Sequence, residues 1–159
     1  MARENEVRVI ARARRGARKL LVQALYQLQM NATPWQDLYH QFTADPEAAG
    51  ADADYFRELL KRIATGRESL DATLALYSDI APERLDPIEH GILWVAIAEL
   101  TDRPDVPFRV SISEAVELAK RFGATDGHKY VNGVLDRAAS ATHRMPCSMG
   151  SSRSGAMSE

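Results

Sequence analysis

The sequence predicts an all-α protein of six or seven helices. Along most of the chain, apolar residues recur at spacings of three and four, which is the period of an amphipathic helix. No segment shows the alternation of polar residues with Val, Ile and aromatic residues that is typical of strands. With 45% hydrophobic and 26% charged residues in 159, the composition is that of one globular unit.

The first half of the chain predicts three or four helices. The first helix starts within an arginine cluster, and its apolar stripe comprises Ala17, Leu20, Leu21, Ala24, Leu25 and Leu28. Thr33 and Pro34 have the form of an N-cap followed by proline at the first helical position, which predicts a second helix. The next stripe runs from Tyr55 to Tyr77, and Gly66 within it either kinks one helix or divides two.

The second half predicts three helices and a tail. The stripe after Pro87 is the most apolar, so we expect that helix to be central; it comprises Ile88, Ile92, Leu93, Val95, Ala96, Ile97 and Leu100. Ser111 and Glu114 have the spacing of a capping box that opens the next helix, with Gly123 as its C-terminal stop. Asp126 is expected to cap a last helix. Residues 8–144 form the predicted domain, and 145–159, which lack an apolar period, a disordered tail.

The charge is distributed unevenly. The net charge is −2, but residues 1–20 hold seven Arg or Lys against Glu4 and Glu6, which leaves +5 there and −7 on the other 139 residues. Such asymmetry indicates an anionic partner for one end of the molecule.

Catalytic and metal-binding motifs are absent from the sequence. The four histidines are scattered, the single Cys147 has no second cysteine to pair with, and no phosphate loop, dinucleotide fingerprint or nucleophile elbow is present. We therefore expect no enzyme, no cofactor and no metal. No signal peptide and no run of roughly 20 apolar residues occurs, so a cytoplasmic protein without a membrane partner is expected.

The arginine cluster is the strongest candidate site. At helical spacing Arg8, Arg12 and Arg15 lie along one side, as do Arg14 and Arg18, and guanidinium groups bind phosphates with two-point geometry. Cations near a helix N-terminus oppose the helix dipole, so their placement suggests a purpose beyond solubility. The charge pattern thus favours nucleic-acid binding over a solvated helix end.

A second candidate site is the loop that leads into the last helix. Unpaired N–H groups at a helix start attract anions, and Lys129 and Tyr130 in the first turn would add a charge and a stacking face. Spacing alone favours a structural interpretation, in which Asp126 caps the helix and Tyr130 packs.

The motifs together resemble the NusB family of bacterial transcription antitermination factors, in order over roughly residues 10–140. They are RR at 14–15, AR at 17–18, VQALYQ at 22–27, YFRELL at 55–60, AEL at 98–100, DVP at 105–107, SEAVELAK at 113–120, FG at 122–123 and HKYVNGVLD at 128–136; Gly16 interrupts the arginine run. The resemblance implies two packed helical subdomains that bind the boxA element of ribosomal RNA transcripts together with the ribosomal protein NusE, within the antitermination complex of RNA polymerase.

The resemblance also implies roles for individual residues. RNA would be bound by Arg12, Arg14, Arg15, Arg18, Asp126, Lys129 and Tyr130. NusE would be bound by Tyr26, Glu83 and Glu89. A basic end for RNA and an acidic body for a basic ribosomal protein agree with the charge distribution.

Two alternatives stay open. A NusB-like domain also accompanies ribosomal RNA cytosine methyltransferases, but we expect no such enzyme because no Rossmann-type segment follows residue 140. The other is a helical adaptor that binds only proteins and whose arginines serve solubility. RNA affinity that falls as salt rises would separate RNA binding from the adaptor role.

Overall fold

In the computed structural model, residues 2–142 are described, and they form seven α-helices and no strand. The helices are α1 (Ala2–Asn31), α2 (Trp35–Ala44), α3 (Ala53–Thr65), α4 (Arg67–Tyr77), α5 (Pro87–Asp102), α6 (Phe108–Phe122) and α7 (Gly127–Ala141), with 3-10 turns at Pro46–Ala48 and Pro82–Arg84. The predicted fold class is confirmed. The tail predicted at 145–159, with Cys147, lies outside the described residues.

Helix α1 begins earlier than predicted. It starts at Ala2 rather than within the arginine cluster, and residues 2–12 are exposed. These residues include no Gly or Pro, Glu4 lies in the first turn, and Glu4 and Arg8 have the spacing of a favourable helical pair. The result is an extension of about three turns whose side chains are exposed.

Helix α5 is the centre of the molecule, as predicted. Every residue from Glu89 to Leu100 is buried, and α5 contacts α1, α3, α4, α6 and α7. Asp71 fixes α4 to it by accepting from Trp94 Nε1 at 2.8 Å and lying 2.7 Å from His90 Nε2. One continuous core therefore joins the group α1–α3 to the group α4–α7.

Several helix ends differ from the prediction. Gly66 divides α3 from α4, which is one of the two predicted arrangements, but α2 has Pro34 instead of Thr33 at its N-cap and no side-chain capping bond. Helix α6 starts at Phe108, so Ser111 is buried inside the helix and forms no capping box. Asp126 holds the N-cap position of α7 with φ +68°, and its side chain accepts no capping bond in this left-handed conformation.

Candidate functional site

Arg18 lies in the interior rather than on the predicted RNA surface. Its side chain is 4% exposed, and its Nε donates to Glu99 Oε2 at 2.8 Å. The Tyr55 hydroxyl donates to the same oxygen at 2.5 Å. Because a buried guanidinium needs a partner charge, this pair fixes α1 to α5 and α3. Arg18 thus holds the core together and is not available to a ligand on the surface.

Arg14 is half-buried above the same tyrosine. Its guanidinium carbon lies 4.5 Å from the centre of the Tyr55 ring, and that of Arg103 lies at 4.8 Å. Asp105 binds both arginines, at 3.1 Å each. The hydrogen bond from Arg103 is the main reason why the pKa of Asp105 falls to about 2, while burial, with Glu99 nearby, raises the pKa of Tyr55. Arg14 is therefore anchored to the α5–α6 loop.

Arg15 is held in a fork by Glu114. Its Nε and Nη2 donate to the two carboxylate oxygens at 3.0–3.2 Å, and the hydrogen bond to Glu114 is the main reason why the pKa of Arg15 is raised. The Arg15 side chain remains 60% exposed, whereas that of Glu114 is 15% exposed. Since Glu114 engages only Nε and Nη2, the rest of the guanidinium is available for binding a phosphate.

The arginines lie along two sides of α1 rather than one. Arg14 and Arg15 line a groove of about 500 Å³ between the helical extension and the start of α6. Arg8 and Arg12 line a hollow of about 410 Å³ that also includes Gly50. Both hollows open next to exposed guanidinium groups, so this end of α1 can contact an anionic chain on either side.

Gly16 permits the close contact that supports the arginine cluster. A Cβ at this position would lie 3.1 Å from the Ala51 Cβ, tighter than an ordinary contact. The Asp52 N–H donates to the Ala13 carbonyl at 2.9 Å. The α2–α3 connection thus fixes α1 on one side, while Asp105 and Glu114 fix it on the other.

The second predicted RNA surface lies at the opposite end of α6. Asp126 and Lys129 are exposed and form an ion pair of 3.5 Å, and the hydroxyl of the half-buried Tyr130 contacts that of Ser78. From Glu114 to the end of α6 is about 12 Å at 1.5 Å per residue. The two predicted RNA surfaces are therefore separate, and a strand that contacts both must span this length of α6.

The three residues predicted to contact a protein partner do not share one surface. Tyr26 is 44% exposed, and Glu83 is exposed on the turn before α5. Glu89 is buried, accepts from the Ala124 N–H at 3.2 Å, and has an oxygen 1.8 Å from the position of a Cβ on Gly127. Glu89 thus fixes the α6–α7 loop and is not exposed for contact with a protein partner.

Sequence reasoning missed the partners of the arginines. Glu99, Asp105 and Glu114 are separated from Arg18, Arg14 and Arg15 by 81 to 99 positions in the chain. No local pattern predicts such pairs, and Glu114 had a capping role in the sequence interpretation. Their identification required the packing of α1 against α5 and α6.

Residues 2–142 include no group of three or more His, Cys, Asp or Glu placed to hold a metal ion. None of their helices is long and apolar enough to cross a membrane.

Comparison with known proteins finds relatives over most of the chain. The model of the NusB family matches residues 15–140. The transcription antitermination protein NusB of Shewanella pealeana is 47% identical over 124 residues, which are 78% of this chain and 92% of that protein.

Solved structures have the same fold. NusB of T. maritima is 29% identical, with a TM-score of 0.68 over 80% of this chain and 90% of that one. A chain from the crystal structure of antitermination factors NusB and NusE in complex with dsRNA is 22% identical, with a TM-score of 0.71 over 82% and 98%. At that identity the second likeness concerns the fold alone.

Proposed function

Because this chain belongs to the NusB family, we propose that it is a transcription antitermination factor that binds boxA RNA of ribosomal RNA transcripts together with NusE. In this role it promotes processive transcription by RNA polymerase in the cytoplasm. Its own contribution is binding and not catalysis.

The observation that carries the proposal is the exposed arginine cluster at the start of the body of α1. Arg15 presents one edge of a guanidinium that Glu114 holds in place, and Arg12 is exposed nearby. A preorganised fork loses less side-chain entropy when it binds a phosphate than a mobile one does. We assign Arg12 and Arg15 to the RNA backbone, with Arg14 as a contact that shares its charge with Asp105.

Lys129 and Tyr130 provide a second contact in this proposal. Lys129 is exposed in the first turn of α7, where the helix dipole also favours anions. Asp126 partly neutralises the charge of Lys129 and so weakens its attraction for phosphate. RNA bound at both places runs over α6 in extended, single-stranded form.

NusE is assigned to the end of the molecule where α1 meets the start of α5. Gln29 Nε2 donates to the Pro87 carbonyl at 2.9 Å, which places Tyr26 and Glu83 at the same end. An exposed tyrosine and an exposed carboxylate at one end of the molecule are suited to a basic protein surface. Glu89 is left out of this interface because it is buried.

The test is RNA binding measured by fluorescence anisotropy over a salt series. We expect this protein to prefer boxA-type RNA over a scrambled RNA and to bind it more tightly with NusE. Replacing Arg12 and Arg15 by alanine removes two phosphate contacts, so the slope of log affinity against log salt becomes less negative by about 1.4.

The matched control replaces Arg57 and Lys61 by alanine. This double variant removes the same amount of charge from the exposed face of α3. Equal losses of affinity in the two double variants would show a general charge effect and contradict the assigned site. Absence of RNA preference with and without NusE would contradict the proposed function.

A further inference from the structure

The groove between the helical extension and α6 combines apolar walls with a cationic rim. Val7 and Ile10 of α1, 60% and 52% exposed, form one wall. Val106 and Val110, of which Val110 is 40% exposed, form the other. These aliphatic residues enclose a concave apolar groove of about 500 Å³. This volume is in the range that small ligands occupy.

The rim of this groove carries three guanidinium groups, two of them held by ion pairs. Arg14 and Arg15 lie on the α1 side, and Arg109 lies on the α6 side. Asp105 and Glu114 offset two of these charges, which leaves the rim with a net positive charge. The groove is therefore complementary to a ligand with a flat apolar part and an adjacent anion.

We propose that this groove binds one nucleobase of the RNA strand whose neighbouring phosphate is held by Arg15. A nucleobase has two apolar faces, and its phosphate is the anion that the open edge of Arg15 is oriented to bind. This inference rests on the proposed RNA-binding function and deepens it. Val7 and Ile10 lie before residue 15, where the match to the family model begins.

The chain offers a matched pair of variants for the test. Val7 and Val9 are both exposed valines of the extension, at 60% and 65%, but Val9 lines the hollow with Arg8 and Arg12 instead. Val7→Asn and Val9→Asn therefore make the same chemical change in the same helix, on opposite sides. Val110→Asn changes the facing wall, and thermal melts confirm that each variant is folded.

The experiment measures the affinity of each full-length variant for labelled boxA-type RNA and for RNAs with one abasic position each. We expect Val7→Asn and Val110→Asn to weaken binding about fivefold or more, and Val9→Asn, on the side of Arg12, to weaken it less. The salt slope stays that of the wild type, because no phosphate contact is removed. We expect one of the abasic RNAs to bind the wild type about fivefold more weakly than the intact RNA does. The same abasic RNA should bind Val7→Asn as tightly as the intact RNA does.

Other outcomes overturn the inference in distinguishable ways. If the Arg12 and Arg15 variant loses affinity while Val7→Asn and Val110→Asn match Val9→Asn, the groove does not bind a base and the proposed function stands. If the wild type binds neither RNA with or without NusE, both the inference and the proposed function fail. If Val7→Asn weakens NusE binding but not RNA affinity, the groove is a protein interface.

Discussion

Two arginine–glutamate ion pairs lie within one turn of α1, and the structure gives them different roles. Arg15 and Glu114 pair with the arginine side chain 60% exposed, whereas Arg18 and Glu99 pair with side chains 4% and 1% exposed. The same residue types at nearly the same place in the chain thus form a surface fork and a core contact. Burial, rather than charge, decides which arginine is available to a partner.

The energetics of the two pairs differ for the same reason. Water screens the exposed pair, so its contribution to stability is below about 1 kcal/mol. Loss of one partner from the buried pair leaves an uncompensated charge in a medium that solvates it poorly. The buried pair is therefore a structural requirement, while the exposed pair leaves part of the Arg15 guanidinium accessible to a phosphate.

The largest expected effect is the loss of stability in Arg18→Ala. This variant leaves Glu99 buried without its counter-charge, which costs about 3–5 kcal/mol and lowers Tm by roughly 10 °C. Arg15→Ala is the matched control three residues away, and its change is expected to stay below about 1 kcal/mol. Urea unfolding of the two variants makes the comparison, and equal destabilisation would show that burial does not distinguish the pairs.

The next effect is a loss of stability around the buried Glu89, with the exposed Glu83 as its control. The sequence analysis had assigned both glutamates to the same NusE-binding surface. Gly127→Ala places a Cβ against the Glu89 carboxylate, at 1.8 Å from its oxygen before any shift, and we expect a loss of about 1–3 kcal/mol. Combining it with Glu89→Ala removes the overlap, so the double variant should be more stable than the sum of the two single changes predicts.

Glu83 provides the control for this prediction. It is exposed on the turn before α5, so Glu83→Ala should leave thermal stability within about 0.5 kcal/mol of the wild type. Additive effects of Gly127→Ala and Glu89→Ala in thermal unfolding would argue against contact between these two positions.

A smaller effect is expected from Tyr55→Phe. The variant removes the hydroxyl that donates to Glu99 but keeps the ring beneath Arg14. A hydrogen bond to a buried carboxylate contributes about 1.5 kcal/mol or somewhat more, so a loss of that size is expected in urea unfolding. A neutral result would mean that Arg18 alone is sufficient to stabilise Glu99.

The smallest effect is a dependence on acid pH at Asp105. Its pKa is lowered from 3.8 to about 2 in the folded protein, so its stabilising contribution is present above the unfolded value and is lost as pH falls toward 2. Because the side chain is half exposed, we expect a small effect. The difference in urea midpoint between the wild type and Asp105→Asn should shrink from pH 5 to pH 2, and a constant difference would contradict this assignment.

Much of the fold was predictable from local patterns. The stripe from Ile88 to Leu100 predicted the central helix, which α5 confirms, and Gly123 was correctly placed at the end of α6. Helix starts were predicted less well. Ser111 has the spacing of a capping box, but Pro107 starts the helix one turn earlier and Ser111 is buried. A capping pattern predicts which hydrogen bonds a side chain can form. Whether these bonds form depends on where packing lets the helix begin.

The sequence by itself determined the class of fold, the family and the basic end of the molecule, because helical period, motif order and charge are properties of the chain read in order. Only the tertiary structure decided which arginine faces solvent. Arg14, Arg15 and Arg18 are equivalent in sequence. Their partners come from three different elements: Asp105 from the α5–α6 loop, Glu114 from α6 and Glu99 from α5. Burial and ion pairing depend on contacts between distant segments, and these exist only once α1 has packed against α5.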